Sequence, residues 1–158
     1  MKLLFRTALL FVMSVTLYAG ASAVSGQSPL LVENFDYAAG QLLTNNGWTA
    51  HSGAGTNAIA TVSPGLTFAN YPSSGVGNAI AMTTSGEDDN RPFAVQSTGS
   101  VYTAFMVNIS EAAIDPIGGY FFHLGPDPVG TAFRGRIFVK KDAANNIAFG
   151  LSKTATAD

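Results

Sequence analysis

Apolar and polar residues alternate in short stretches along the chain, broken repeatedly by Gly, Pro, Asn and Ser. The longest regular stretch runs from Ser100 to Ile109. Val101, Thr103, Phe105, Val107 and Ile109 fall on one side of it, and Tyr102, Ala104, Met106 and Asn108 on the other. A period of 2 carried by β-branched and aromatic residues predicts a half-buried strand; a helical stripe would leave Val107 and Ile109 out. Shorter strands are expected over Leu30 to Phe35, Ile59 to Val62, Leu66 to Phe68, Ala79 to Thr83, Pro92 to Gln96 and Tyr120 to Leu124. A helical turn is expected at Glu111 to Ile114. Phe133 to Lys141 and Ile147 to Ser152 flank Asp142-Ala143-Ala144-Asn145-Asn146. Asp and Asn tolerate the backbone of tight turns, so this pair predicts a hairpin. Along its first arm Phe133, Gly135, Ile137 and Val139 alternate with Arg134, Arg136, Phe138 and Lys140, so the second, mostly basic face is expected to meet water.

Many short strands between turn signals, with almost no helix, predict an all-β antiparallel sandwich or barrel. No repeat of fixed period supports a propeller or solenoid. Residues 1–23 have the pattern of a secretory signal peptide. Lys2 and Arg6 precede an apolar stretch from Thr7 to Tyr18, and Ala21-Ser22-Ala23 supplies small residues for cleavage after Ala23. The apolar stretch falls short of the roughly 20 residues needed to span a bilayer, so the expected location is secreted or cell-surface, with residues 24–158 as one β-sandwich domain. Cleavage leaves 6 basic against 10 acidic residues, a charge of −4. That balance offers no patch for phosphates and speaks against nucleic acid. The chain has no Cys, so stability must come from packing. Ser152 to Asp158 closes no hairpin; the chain reads as lacking its last strands, with a frayed native terminus as the alternative.

Val32-Glu33-Asn34-Phe35-Asp36-Tyr37 with Gly40 and Gly47-Trp48 is similar to the opening of bacterial concanavalin A-like (LamG-like) jelly-roll domains. The stretches Phe121 to Gly125, Phe133 to Asp142 and Phe149 to Ser152 resemble the central strands of such domains. The resemblance implies a two-sheet jelly-roll sandwich, incomplete at its C-terminus, in an exported bacterial protein. It hints at glycan or surface binding, and it implies no activity by itself.

The residues themselves offer little catalysis. Glu33 and Asp36 are three apart and would face opposite ways on a strand. Glu87-Asp88-Asp89, between Ser85-Gly86 and Asn90-Arg91, reads first as a solvated loop. Its oxygens could alternatively hold calcium, the one metal or cofactor this sequence suggests, although EF-hand spacing is absent. Gly53-Ala54-Gly55-Thr56-Asn57-Ala58 matches a dinucleotide fingerprint on paper, but Pro64-Gly65 leaves no room for the required helix. His51 and His123 lack the spacing of a zinc site, and His123 reads as a strand histidine. For a glycan or cell-surface partner, Trp48, Tyr71 and Tyr120 are the candidate stacking platforms, with a core role the competing reading for Trp48. Arg134 and Arg136 could meet anionic glycans, or simply form a solvated face. The expectation is a non-catalytic exported binding or adhesion module. The alternatives are a spacer without a small ligand, and the first part of a glycoside hydrolase whose acids lie beyond residue 158.

Overall fold

The computed structural model describes residues 28–114 and 118–153. The expected signal peptide and the last five residues lie outside them. The regular elements of the described chain are almost all β, with a single 3-10 turn at Leu43–Asn45. Seven strands form three antiparallel sheets: β1 (Thr49–Ser52) with β4 (Asp88–Asn90), β2 (Ala60–Val62) with β3 (Ala79–Ala81), and β5 (Gly119–Leu124), β6 (Arg134–Lys141) and β7 (Ile147–Ser152) in that order. Among the described residues no helix is long and apolar enough to cross a membrane.

The hairpin of β6 and β7 forms as the sequence predicts, in continuous register from Arg136↔Ser152 to Lys141↔Ile147. Its turn is built on Asp142. The Asp142 carboxylate accepts from the Ala144 and Asn146 backbone N–H groups at 2.8 and 2.9 Å, and from the Asn146 side chain at 2.9 Å. Asn145 takes a positive φ of 65°, a conformation Asn adopts more readily than most residues. Three donors on one exposed carboxylate favour its charged form, and Asp142 is held below the usual carboxylate range by those bonds.

The β2–β3 pair also matches its predicted segments, and Ile59 just before it is buried. The chain at 40–43 runs beside β2: the Leu43 N–H donates to the Ile59 carbonyl, and Thr61 to that of Gln41. Leu43 is the best-covered apolar side chain, 1% exposed.

Several expectations fail. Ser100 to Ile109 has the alternation of a strand but pairs with no strand among the described residues. Alternation specifies two faces, whereas a strand also needs a neighbouring backbone; without one Val101, Tyr102, Phe105 and Val107 stay exposed. The Phe105 ring lies beside that of Phe122, with centroids 5.2 Å apart, and Met106 and Ile109 are half-buried. Leu30 to Phe35, Leu66 to Phe68 and Pro92 to Gln96 likewise form no strand, and no helical turn forms at Glu111 to Ile114. The three acids 87–89 are not a solvated loop: they run into β4, which pairs with β1, a pairing the sequence did not suggest. Finally, the mostly basic face of β6 carries its buried residue. Phe138 is 8% exposed, because it lies opposite Tyr120 of β5 with ring centroids 6.0 Å apart. Arg136 lies over both rings instead of extending into water.

Candidate functional site

Two polar clusters stand out, and they are built differently. The first centres on Glu33. Its carboxylate accepts from the Phe35 backbone N–H at 2.7 Å, the Tyr37 hydroxyl at 2.8 Å and the Trp48 indole N–H at 3.2 Å, and pairs with Arg91. Every strong donor nearby is spent on one acceptor, so this carboxylate has little capacity left for acid–base work. Trp48 is half-buried and stacked on Phe35 at 6.1 Å and 26°. It is therefore a strut of this node. Burial, followed by the bond to Glu33, pushes the Tyr37 hydroxyl up, while the bond to Tyr37 leads the causes that raise Arg91.

The second cluster gathers on β4 and the strands beside it. Two tight backbone approaches set it up. Gly53 has φ +59° and lies against the Gly86 carbonyl, where a Cβ would collide. Gly86 in turn lies against the Thr56 carbonyl, which accepts the Glu87 N–H at 2.7 Å. The loop after β1 is thereby held against the start of β4, and the Gly55 N–H donates to Glu87 Oε2 at 2.7 Å. The supposed dinucleotide fingerprint thus serves to tether a carboxylate.

Glu87 is 7% exposed, and its second oxygen, Oε1, is buried with no hydrogen-bond partner; both Asp89 oxygens are in the same condition. Two residues apart on a strand, Glu87 and Asp89 share a side. Two ionised carboxylates have no donor to offer each other, whereas a proton on Asp89 provides one. Burial first, and then the Glu87 carboxylate, push Asp89 up to about 6. Asp88, between them, carries its charge toward β5: it raises Tyr120, after the larger effect of burial. Among the described residues no three His, Cys, Asp or Glu side chains are grouped as a metal ion would need.

Beside them the β1–β4 register slips between Ala50 and Ser52, making His51 the extra residue of a bulge. The bulge brings His51 to His123 of β5, with ring centroids 5.4 Å apart and planes nearly perpendicular. His123 in turn lies 4.1 Å from Phe133 and 5.9 Å from Tyr120. Both His51 nitrogens and His123 Nδ1 are buried without partners. Burial, aided by the positive charges His51 and Arg136 would supply, holds His123 below the usual imidazole range; a backbone bond at Leu124 and the Asp88 charge oppose the shift.

A groove of about 60 Å³ opens at this cluster. Its walls include Asn57, Thr83, Thr84, Ser85, Asp88 and Tyr120, with Glu87 at the base of β4 also contributing. The loop is braced from within: the Ser85 carbonyl accepts from the Asn57 side chain at 2.9 Å and the Thr83 hydroxyl at 2.6 Å.

Of the residues singled out from sequence, Tyr120, Asp88 and Glu87 therefore share one groove. Arg136 lies against its aromatic wall, 5.7 Å above the Tyr120 ring, without lining the groove. Arg134 is exposed and donates to the neighbouring Phe133 carbonyl at 3.2 Å. Tyr71 lies in a separate turn closed by Tyr71 N–H to Phe68 O and Ser74 N–H to Tyr71 O, and Trp48 belongs to the Glu33 node. Sequence reading missed His51, Asn57 and the 83–85 loop. Only the Glu87-x-Asp89 alternation signalled a strand there, and its polarity disguised it. No family model, no characterised protein and no solved structure matches this chain.

Proposed function

We propose that this chain is an exported, non-catalytic module that binds extracellular glycan through the groove at Tyr120, on a two-sheet jelly-roll sandwich of the concanavalin A-like type. The observation that carries the reading is the make-up of the groove: one tyrosine beside hydroxyl, amide and carboxylate side chains from two loops and a strand. Sugars are bound by this combination, an apolar ring face meeting an aromatic wall while hydroxyls bond to planar polar groups. The groove has space for a few water-sized groups, so it would seat one edge of a sugar ring and leave the rest of a chain outside.

Neither acidic cluster suits hydrolysis. Glu33 is saturated with donors, and the Asp89 oxygens are closed off from any substrate. Titration of the full chain with neutral oligosaccharides, followed by calorimetry and by amide shifts, tests the reading. Binding at millimolar or lower concentration, weakened several-fold in Tyr120→Ala and Asn57→Ala, is expected; no heat and no shifts at millimolar sugar would overturn it.

A further inference from the structure

We infer that the outer edge of β7 is an interaction surface for a second copy of this chain, the two β7 strands pairing antiparallel about a two-fold axis at Phe149. No β7 residue lines the Tyr120 groove, so the inference is independent of the glycan reading.

The two outer strands of the three-stranded sheet differ. Along β5 the ladder with β6 slips twice, between Tyr120 and Phe122 and between Phe122 and Leu124, and such irregularities blunt an edge. β7 lacks the usual protections. Its register with β6 is unbroken over six pairs, and Ile147–Ser152 contains no charged residue and no Pro. No described strand pairs with its outer side. Ile147, Phe149 and Leu151 alternate along it, all exposed. The apolar surface continues inward from them: Leu151 stands opposite Ile137, Phe149 stands opposite Val139, and the Phe149 ring lies 6.3 Å from that of Phe121 in β5.

Symmetry limits the register. Residues directly opposite in an antiparallel pair point to the same side, so a two-fold axis normal to the sheet must bring odd-numbered residues of β7 against odd-numbered ones. Centring the axis on Phe149 uses the whole exposed row: Phe149 meets its own copy, and Ile147 meets Leu151 of the partner subunit. The same register sets the exposed Lys153 beside the β6–β7 turn of the partner subunit. That turn carries the Asp142 carboxylate, which its three hydrogen bonds keep charged. Opposite charges therefore meet at both ends of an uncharged strand, in a chain whose acidic excess disfavours most other self-contacts.

Six residues a side is well below the roughly 20–30 of a standard interface, so the dimer is weak, with an expected Kd of about 10–100 µM. Sedimentation velocity of the full chain from micromolar to millimolar concentration, with amide exchange along β7 read at both ends, is the test. Monomers should give way to dimers, and β7 amides should slow as dimers form. Phe149→Lys sets two like charges at the axis and should raise Kd by about tenfold, as should Leu151→Lys, with a smaller rise in Lys153→Glu. All three positions are exposed, and circular dichroism checks that the variants keep the fold. A chain monomeric at millimolar concentration, which would leave the edge to a different protein, overturns the inference. So do dimers unaffected by all three substitutions, and so does slow β7 exchange in the monomer, which would put a segment of the same chain on the edge.

Discussion

The Gly55 N–H donates to the Glu87 carboxylate across 32 positions of sequence, at 2.7 Å, and this bond ties the turn after β1 to the first residue leading into β4. The Glu87 side chain is both anchored and short of a donor. Glu87→Ala removes the anchor and should cost about 1–3 kcal/mol in urea unfolding. Glu87→Gln keeps an acceptor for Gly55 and adds an amide that can donate to Asp89, so it should match or exceed the parent in stability at pH 7.5.

Asp89 has a folded-state pKa of about 6, above its ordinary 3.8, chiefly from burial. A raised folded value means that stability from this group is present at low pH and lost as pH rises through about 6. Asp89→Asn, which supplies the missing donor at every pH, should therefore melt higher than the parent at pH 7.5. Its advantage should shrink on acidification to pH 5. A melting-temperature difference independent of pH would contradict the shared-proton arrangement.

His123 acts in the opposite sense. Burial holds its folded pKa below 6.5, so its contribution is present above that value and disappears as pH falls toward the depressed one. The parent chain should lose stability at acid pH from this source, and His123→Gln should lose less over the same interval. Thermal melts of the parent, His123→Gln and Asp89→Asn at pH 7.5 and 5 separate the two effects.

At the other cluster, Glu33→Ala strands the Trp48 indole N–H and removes the carboxylate shared by Tyr37 and Arg91, leaving Arg91 only the Tyr37 hydroxyl at 3.0 Å. A loss of roughly 2–4 kcal/mol is expected, between the value of charged hydrogen bonds and that of a buried ion pair. A change in Trp48 emission should accompany it, since this is the only tryptophan. Emission unchanged from the parent would show that Glu33 does not hold the indole.

The turn of the β6–β7 hairpin gives the simplest test. Asn145 sits at φ 65°, so Asn145→Gly should be tolerated and Asn145→Val should lower the melting temperature, because a β-branched residue is strained there.

This hairpin was also the most legible part of the sequence, since alternating arms and an Asp/Asn turn are local signals that need no distant partner. The segment Ser100 to Ile109 shows the limit of the same reasoning: its alternation is cleaner than that of β6, yet pairing depends on a backbone elsewhere in the chain. The site was harder still. Its carboxylates, Glu87 and Asp88, stand at the start of a strand whose residues, Asp88, Asp89 and Asn90, are all poor strand formers. That strand exists because Gly53 and Gly86 let two loops close on each other. Tyr120 was identifiable by residue type, but His51 was brought to His123 by a bulge, which no spacing in the sequence announces.

The outermost position of β7 has a practical bearing. Ile147, Phe149 and Leu151 stand exposed along it at 41%, 57% and 74%, and its outer edge is unpaired among the described residues. A greasy rim with open amides invites intermolecular stacking, which grows with concentration. Ligand titrations are best run dilute, with light scattering alongside, so that heat from self-association is not mistaken for sugar binding.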